Sequence, residues 1–362
     1  MNTTSHSRAT AALQTAFIAD ALAMPVHWYY NPADILKAFP GGIKKFEDAP
    51  DFHPSSIMSL HSTRQGGRAT TSQHQQQVVG DVILKGRQQF WGEANQHYHR
   101  GMKAGDNTLN AHCARLVLRA LAKGYSRQTF LDDYIRFMCA DPPPHPDTYA
   151  ESYHRGFFAN YVQGTHAMKC AAITHDTASI GALVTAAPLI ITCAFHGHPL
   201  SSVQQLARAH LALTHPDDEL AQVCDYYAEL IVRLLHCESD NATDILEDIA
   251  KRSVNLSLPA LVKKNKSDIE VVGRQFSPAC YISDAWPSVL YFAFRYSHSA
   301  HQALFANTQV GGDNVHRGFV LGTIIGLMAG GAPAPLFSQL SDSDALLQEI
   351  SDAFSQIKQP VL

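Results

Sequence analysis

Two short polar segments carry the residue types that could do chemistry. Gly311-Gly312-Asp313-Asn314-Val315-His316 and Gly105-Asp106-Asn107-Thr108 each open a helical pattern. Asp106 and Asp313 are hard oxygen donors, Asn107 and Asn314 offer carbonyl oxygens, and Thr108 adds a hydroxyl. A divalent ion such as Mg²⁺, Mn²⁺ or Ca²⁺ needs such oxygens converging from separate elements. Helix N-termini suit them, because unpaired N–H groups and the positive dipole end lie there. The competing use of the same residues is plain N-capping by Asp106, Asn107 and Asn314.

Further polar residues stand where their types are notable. Asp20 interrupts the apolar run Phe17-Ile18-Ala19-Asp20-Ala21-Leu22, and a buried carboxylate must either bind something or anchor a hydrogen-bond network. His27-Trp28-Tyr29-Tyr30 follows, suited either to stacking a ring or to closing a core. Twenty histidines is a high count. His97, His99 and His112 flank the Gly105 segment, and His145, His154, His166 and His175 crowd the middle. They read mostly as surface or hydrogen-bonding groups. The sequence holds no zinc-hydrolase His-Glu-x-x-His, no Gly-x-Ser-x-Gly elbow, no phosphate loop and no dinucleotide fingerprint.

The elements that must position these residues are helical. Gly318, Gly322, Gly326 and Gly330 recur every fourth residue, a bare stripe that lets another helix approach closely. Ala12, Ala16, Ala19 and Ala23 make a small-residue face on Ala11–Met24. Apolar positions in Thr108–Ala122 repeat at helical spacing. Similar patterns recur to Asp342–Ile357, with neither alternating strands nor a βαβ rhythm, so an all-α bundle is expected. It is read as a single domain over residues 8–358. Two loops stand out: Phe39 to about Gly80, long enough for a flap, and the proline-stiffened Asp141–Thr148.

Composition narrows the function classes. With 46% hydrophobic and 17% charged residues the chain is globular. A net charge of −4 gives no footprint for nucleic acid or anionic membrane. No apolar run reaches the length of a membrane span. The seven scattered cysteines, with no Cys-x-x-Cys pair, read as reduced and point to a cytoplasmic protein. Oligomeric state is left open.

In this order the motifs resemble those of the ADP-ribosylglycohydrolase superfamily, from about Ala11 to Ala332. The family's Gly-Asp-Ala-Leu-Gly-x-Pro-x-Glu stands here as Ala19-Asp20-Ala21-Leu22-Ala23-Met24-Pro25-Val26-His27. Thr-Asp-Asp-Thr corresponds to Gly105–Thr108, and a glycine-rich segment ending in Ala-Pro-Leu to Ser179–Leu189. A Thr-His pair matches Thr214-His215, and Gly-Gly-Asp-Thr-Asp-Thr matches Gly311–His316. The text also resembles a divergent branch that includes selenoprotein J and a group of lens crystallins.

The resemblance implies an all-α fold and a pair of magnesium or manganese ions gripping the ribose of an ADP-ribosyl group. The chain departs from that pattern at Gly105, Asn107, Val315, His316 and His27, which argues against the two-magnesium pair. One divalent ion (Mg, Mn or a softer metal) held by Asp106, Asn107, Asp313 and His316 is expected instead. The alternative is metal-free acid–base chemistry by Asp106 and Asp313 with His27 and His316. Asp20, Asn107, Asp176, Thr177, Gly181, Gly311, Gly312 and Asn314 are the expected substrate contacts. The function implied is hydrolysis of a glycosidic bond in an ADP-ribosyl or related nucleoside-containing substrate, small or protein-attached. The alternatives are a non-catalytic ADP-ribose binder or a crystallin-like structural protein.

Overall fold

The computed structural model describes residues 3–56, 78–90, 94–174, 176–237 and 241–355. Among them, in chain order, the α-helices are α1 (Thr3–Ala23), α2 (Pro32–Ala38), α3 (Leu109–Lys123), α4 (Arg127–Met138), α5 (Ser152–Val162), α6 (Gly181–Phe195), α7 (Leu200–Leu211) and α8 (Asp218–His236). They continue as α9 (Ala242–Val254), α10 (Leu258–Lys263), α11 (Asp268–Val271), α12 (Ile282–Arg295), α13 (Ala300–Val310), α14 (Asn314–Ala329), α15 (Ala334–Phe337) and α16 (Ser343–Ser355). Strand pairing among the described residues is confined to isolated bridges, such as Phe52 with Gln96 and Ser179 with Tyr281. The all-α architecture is as expected.

The glycine stripe explains the centre. α1 and α14 pack more extensively than any other pair of helices. A Cβ built on Gly322 would lie 2.6 Å from the Thr15 carbonyl oxygen, and one on Gly326 2.5 Å from that of Ala11. At Gly318 the intruding atom would be the Asn307 side-chain nitrogen at 2.8 Å. Only glycine admits the small-residue face of α1 at this range. Gly330 is not part of that contact: it caps α14 in the left-handed conformation, φ +65°.

The expectation that no segment reaches membrane-spanning length needs correction. Thr4–Val26 passes by length and composition, with mean hydropathy 1.3. In this fold 89% of its apolar window is buried inside the protein, so the same apolarity is accounted for by its place in the core.

Asp20 anchors one helix to another. Buried on α1, its carboxylate accepts from the Thr108 backbone N–H (2.8 Å), the Thr108 hydroxyl (2.6 Å) and the Asn107 carboxamide (2.8 Å). It therefore does for α3 what an N-cap side chain does, from a different helix. Burial raises its pKa, against the lowering effect of those three bonds. Residues 39–56 of the long loop are tied to the core through His53, whose Nε2 donates to the His27 carbonyl at 2.8 Å. Residues 57–77 of that loop, and His175, lie outside the described residues. All seven cysteines are free thiols.

Several histidines are structural, and they make the fold acid-sensitive. Burial pushes His145 and His210 down to about 4 and His215 to about 3. Their folded values lie below the ordinary 6.5, so the unfolded chain takes up protons first as pH falls. The stability they contribute is present above about pH 6.5 and is lost towards pH 4. Each group costs roughly 1.4 kcal/mol per pH unit across that window. Melting temperature, measured by circular dichroism at constant salt, is expected to drop steadily from pH 7 to pH 5. A flat profile would show that these imidazoles find a way to charge in the folded state.

Candidate active site

Three buried side chains meet at the N-terminus of α14. Asp313 is its N-cap residue but makes no capping hydrogen bond with its side chain. Its Oδ1 lies 3.0 Å from His27 Nε2 and 2.7 Å from His316 Nδ1. The His316 contact is short but not aligned as a hydrogen bond, and neither His316 Nδ1 nor Asp313 Oδ2 has another partner. One donor atom from each of the three lies within 4.8 Å of the other two, close enough to hold a metal ion.

The backbone that presents Asp313 is clamped. Gly311 and Gly312 adopt φ +74° and +67°. Gly312 donates to the Tyr29 carbonyl (2.8 Å) and accepts from Trp28 N–H (2.8 Å), while Asp313 N–H reaches the Pro278 carbonyl (2.8 Å). Arg317, fully buried one turn into α14, donates to Gly311 O (2.8 Å), Pro278 O (3.2 Å) and Asn307 Oδ1 (2.7 Å). Asn314 is buried too and braces the same turn by donating to the Thr308 carbonyl at 3.1 Å. Trp28 pays for its place with a left-handed backbone, φ 61°, unusual for a bulky residue. Its indole stacks on His27, ring centroids 3.7 Å apart.

A second shell runs out from both imidazoles. His27 Nδ1 contacts His99 Nε2 at 2.7 Å, and His99 Nδ1 contacts Asp147 Oδ1 at 2.8 Å. Asp147 Oδ2 accepts from Leu109 N–H at 2.7 Å, so this carboxylate also caps α3. On the other side His316 Nε2 lies 3.2 Å from Glu151 Oε1 and 3.0 Å from Asn110 Nδ2. Asn110 in turn donates to Glu151 (2.6 Å) and accepts from the Tyr153 hydroxyl (2.6 Å) and His154 Nε2 (3.1 Å).

The charges follow from this packing. Burial would raise the Asp313 carboxyl, but His316 and His27 hold it well below the usual carboxylate range. Burial opposes charge on His316, yet Asp313 and Glu151 keep it well above the ordinary histidine value. Burial pushes His27 far down despite Asp313 beside it, leaving a neutral ring. Asp147 is held low by His99 against its own burial.

Beside this group lies an open cleft of about 260 Å³, lined by Trp28, Tyr30, Ser55, Tyr98, Tyr149, Glu151, Ser152, Tyr153, Asp176, Ser179 and Cys280. A small inner cavity, lined by His27, His99, Asn110, Asp147 and His316 among others, shares Trp28, Tyr149 and Glu151 with it. Glu151 thus faces both the imidazole group and the cleft.

The expected site residues fall into two sets. His27, Asp313 and His316 come together, Gly311 and Gly312 shape their turn, and Asp176 reaches the cleft wall. Asp106 does not join them: its carboxylate accepts from Lys103 N–H (2.8 Å) and the Ser341 hydroxyl (2.6 Å), and it lines a different cleft. Asn107 is turned into α1, donating to Phe17 O and Asp20. Those two ligand assignments are corrected accordingly, because Asp20 fixes the start of α3 and so aims the segment away. Asp20 itself is spent on α3. Thr177 closes a turn with Thr174 N–H at 2.7 Å. Gly181 lies against Asn110, where a Cβ would sit 3.3 Å from its side-chain nitrogen. Val315 is buried in the core and offers no donor.

The profile of the ADP-ribosylglycohydrolase family matches residues 1–360. The chain belongs to the ADP-ribosylglycohydrolase family. Among solved structures, an "ADP-ribosylglycohydrolase-related protein complex" aligns with a TM-score of 0.59 at 16% identity, covering 98% of this chain and 99% of that one. The likeness confirms the family's all-α fold over the full length. No curated protein matches in sequence. Membership supports a glycohydrolase-like function.

Proposed function

We propose that this protein hydrolyses a glycosidic bond in an ADP-ribosyl or related nucleoside-containing substrate, using a single-ion site made of His27, Asp313 and His316. The observation that carries the reading is the convergence of two imidazoles and one carboxylate beneath an aromatic-walled cleft.

The residues present do not fit a pair of magnesium ions. Magnesium takes oxygen ligands in near-octahedral array, and here the group supplies one carboxylate and two nitrogens. Gly105 and Val315 lack donors, and Asp106 and Asn107 face elsewhere. They do fit one ion that accepts nitrogen, such as zinc or manganese.

The contacts around the three donors suit the same view. Asp147 can only accept, so His99 Nδ1 donates to it, and the other ring nitrogen of His99 faces His27 Nδ1 at 2.7 Å. His27 Nε2 lies 3.0 Å from an Asp313 carboxylate oxygen, so that nitrogen and that oxygen are placed to face one ion together once the proton between them is given up. On the other side His316 would give up its Nδ1 proton to an incoming ion and keep the one on Nε2, which faces Glu151 at 3.2 Å. Each ligand imidazole is thus oriented by a carboxylate, directly or through one more ring, as in known metal sites.

When bound, the ion supplies a template and Lewis acid for the sugar oxygens. Trp28, Tyr98 and Tyr149 stack the base and exclude water. Glu151, hydrogen-bonded through Oε1 to Asn110, orients a water in the cleft and takes its proton. The test is to strip the protein with chelator, restore Zn²⁺, Mn²⁺ or Mg²⁺ one at a time, and follow release of base from ADP-ribosyl and simple ribosyl substrates. One zinc or manganese per chain and hydrolysis lost in Glu151→Gln are expected. Binding of ADP-ribose without turnover would assign a binding protein instead, and neither ion nor ligand would sink the reading.

A further inference from the structure

Resting on the glycosidic-hydrolase reading, we infer that the cleft selects a compact N-glycoside with a positively charged aromatic base and disfavours substrates bearing a diphosphate. Among its described lining residues are five aromatic rings and the carboxylates of Glu151 and Asp176, and neither a lysine nor an arginine. Trp28, Tyr98 and Tyr149 stand mutually edge to face, with centroids 4.6, 5.3 and 5.0 Å apart and interplanar angles of 72–79°. The three rings pack against one another as one wall of the cleft, and an aromatic wall beside carboxylates suits a delocalised cation. Asp176 is oriented by the Ser152 hydroxyl, which donates to it at 3.0 Å.

Among the described residues a diphosphate finds little to hold it. Arg155 lies 6.0 Å from the Tyr149 centroid but is buried and does not line the cleft. The charge on His316 is answered by Asp313 and Glu151. α6 begins beside the cleft, and three of the N–H groups around its start are committed: Ile180 to Cys280 O (2.9 Å), Ala182 to Ser179 O (3.3 Å) and Leu183 to Ile180 O (3.0 Å). Burial, and after it Asp313, Asp176 and Glu151, pushes the Cys280 thiol on this wall well up.

The chemistry balances without an acid. The bond from the anomeric carbon to the ring nitrogen breaks, and its electron pair neutralises the base, which leaves uncharged. The water oxygen bonds to the anomeric carbon, and its proton passes to Glu151.

Isothermal titration of the full-length, metal-free protein with N-ribosylpyridinium, adenosine, adenosine monophosphate and ADP-ribose decides the matter. The pyridinium riboside is expected to bind about tenfold or more tighter than adenosine, and each phosphate to weaken binding further. Glu151→Gln and Asp176→Asn should bring the cation-to-neutral ratio towards one, with an unchanged circular dichroism spectrum and a cooperative melt reporting intact folding. ADP-ribose binding tightest, or a ratio untouched in both variants, overturns this inference and leaves the ADP-ribosyl hydrolase reading standing. No binding by any of the four brings down both.

Discussion

Replacing Asp313 by asparagine is expected to weaken ion binding by at least about 100-fold, a larger loss than the usual cost of removing an outer-shell partner. The carboxylate is the only anionic member of the three-residue group, and an amide cannot neutralise an ion or an imidazolium. Titration calorimetry with zinc reads this directly. The same variant has a second signature in metal-free protein. Asp313 has a folded pKa below its ordinary 3.8, so its contribution is present above that value and lost as pH falls through the depressed one. His316 has a folded pKa above its ordinary 6.5, so its contribution is complete below that value and lost as pH rises through the raised one. Both halves are therefore whole between about pH 4 and 6.5. The stability gap between wild type and Asp313→Asn should be widest near pH 5 and narrow towards pH 9. Asp106→Ala is the contrast: two half-exposed hydrogen bonds are lost, about 1 kcal/mol in all, with zinc affinity unchanged. Equal zinc affinity in wild type and Asp313→Asn, or a zinc loss in Asp106→Ala, would return the site to the arrangement expected from sequence.

Why Asp313 was legible and Glu151 was not is a matter of what a linear pattern encodes. The glycine doublet before Asp313 and the four-residue glycine stripe after it announce a turn, a helix start and a close helix neighbour. All three are local, and all three are found in α14. His27 and His316 were legible because they replace oxygen donors within a recognisable motif order. Asp147 and Glu151 carry no local signal. Asp147 belongs to a proline-rich loop and Glu151 precedes α5, and their importance arises only when both carboxylates meet imidazoles from other elements. His99 read as one histidine in a crowd, although a carboxylate–imidazole–imidazole chain is visible once the loops are placed. Asp106 failed in the opposite direction. Its segment does begin a helix as expected, but the direction in which a side chain leaves a turn depends on what captures its neighbours. Here Asp20 captures Asn107 and Thr108, and Asp106 is left facing Ser341.

Gly312→Ala should be among the most damaging single-methyl additions this chain can receive. At φ +67° an L-residue pays about 1–2 kcal/mol for the left-handed conformation. Space is the larger issue, since the new Cβ would lie 2.1 Å from the Pro278 carbonyl oxygen and 2.6 Å from the Pro278 Cβ. That oxygen cannot simply retreat, because it already accepts from Asp313 N–H and from Arg317. Relief must come from moving the turn that carries Asp313, so stability and ion binding fall together. A loss of roughly 3 kcal/mol or more in urea unfolding is expected, at the upper end for a point substitution. Gly330→Ala supplies the control that separates conformation from crowding. Its φ is nearly the same, +65°, yet the nearest atom to the added Cβ is the Arg8 Cγ at 3.8 Å, an ordinary contact. It should lose only the left-handed term and leave zinc affinity intact. If the two alanines cost the same, the turn before α14 relaxes freely. The tight seating of Asp313 against Pro278 would then not be what holds the three donors in place.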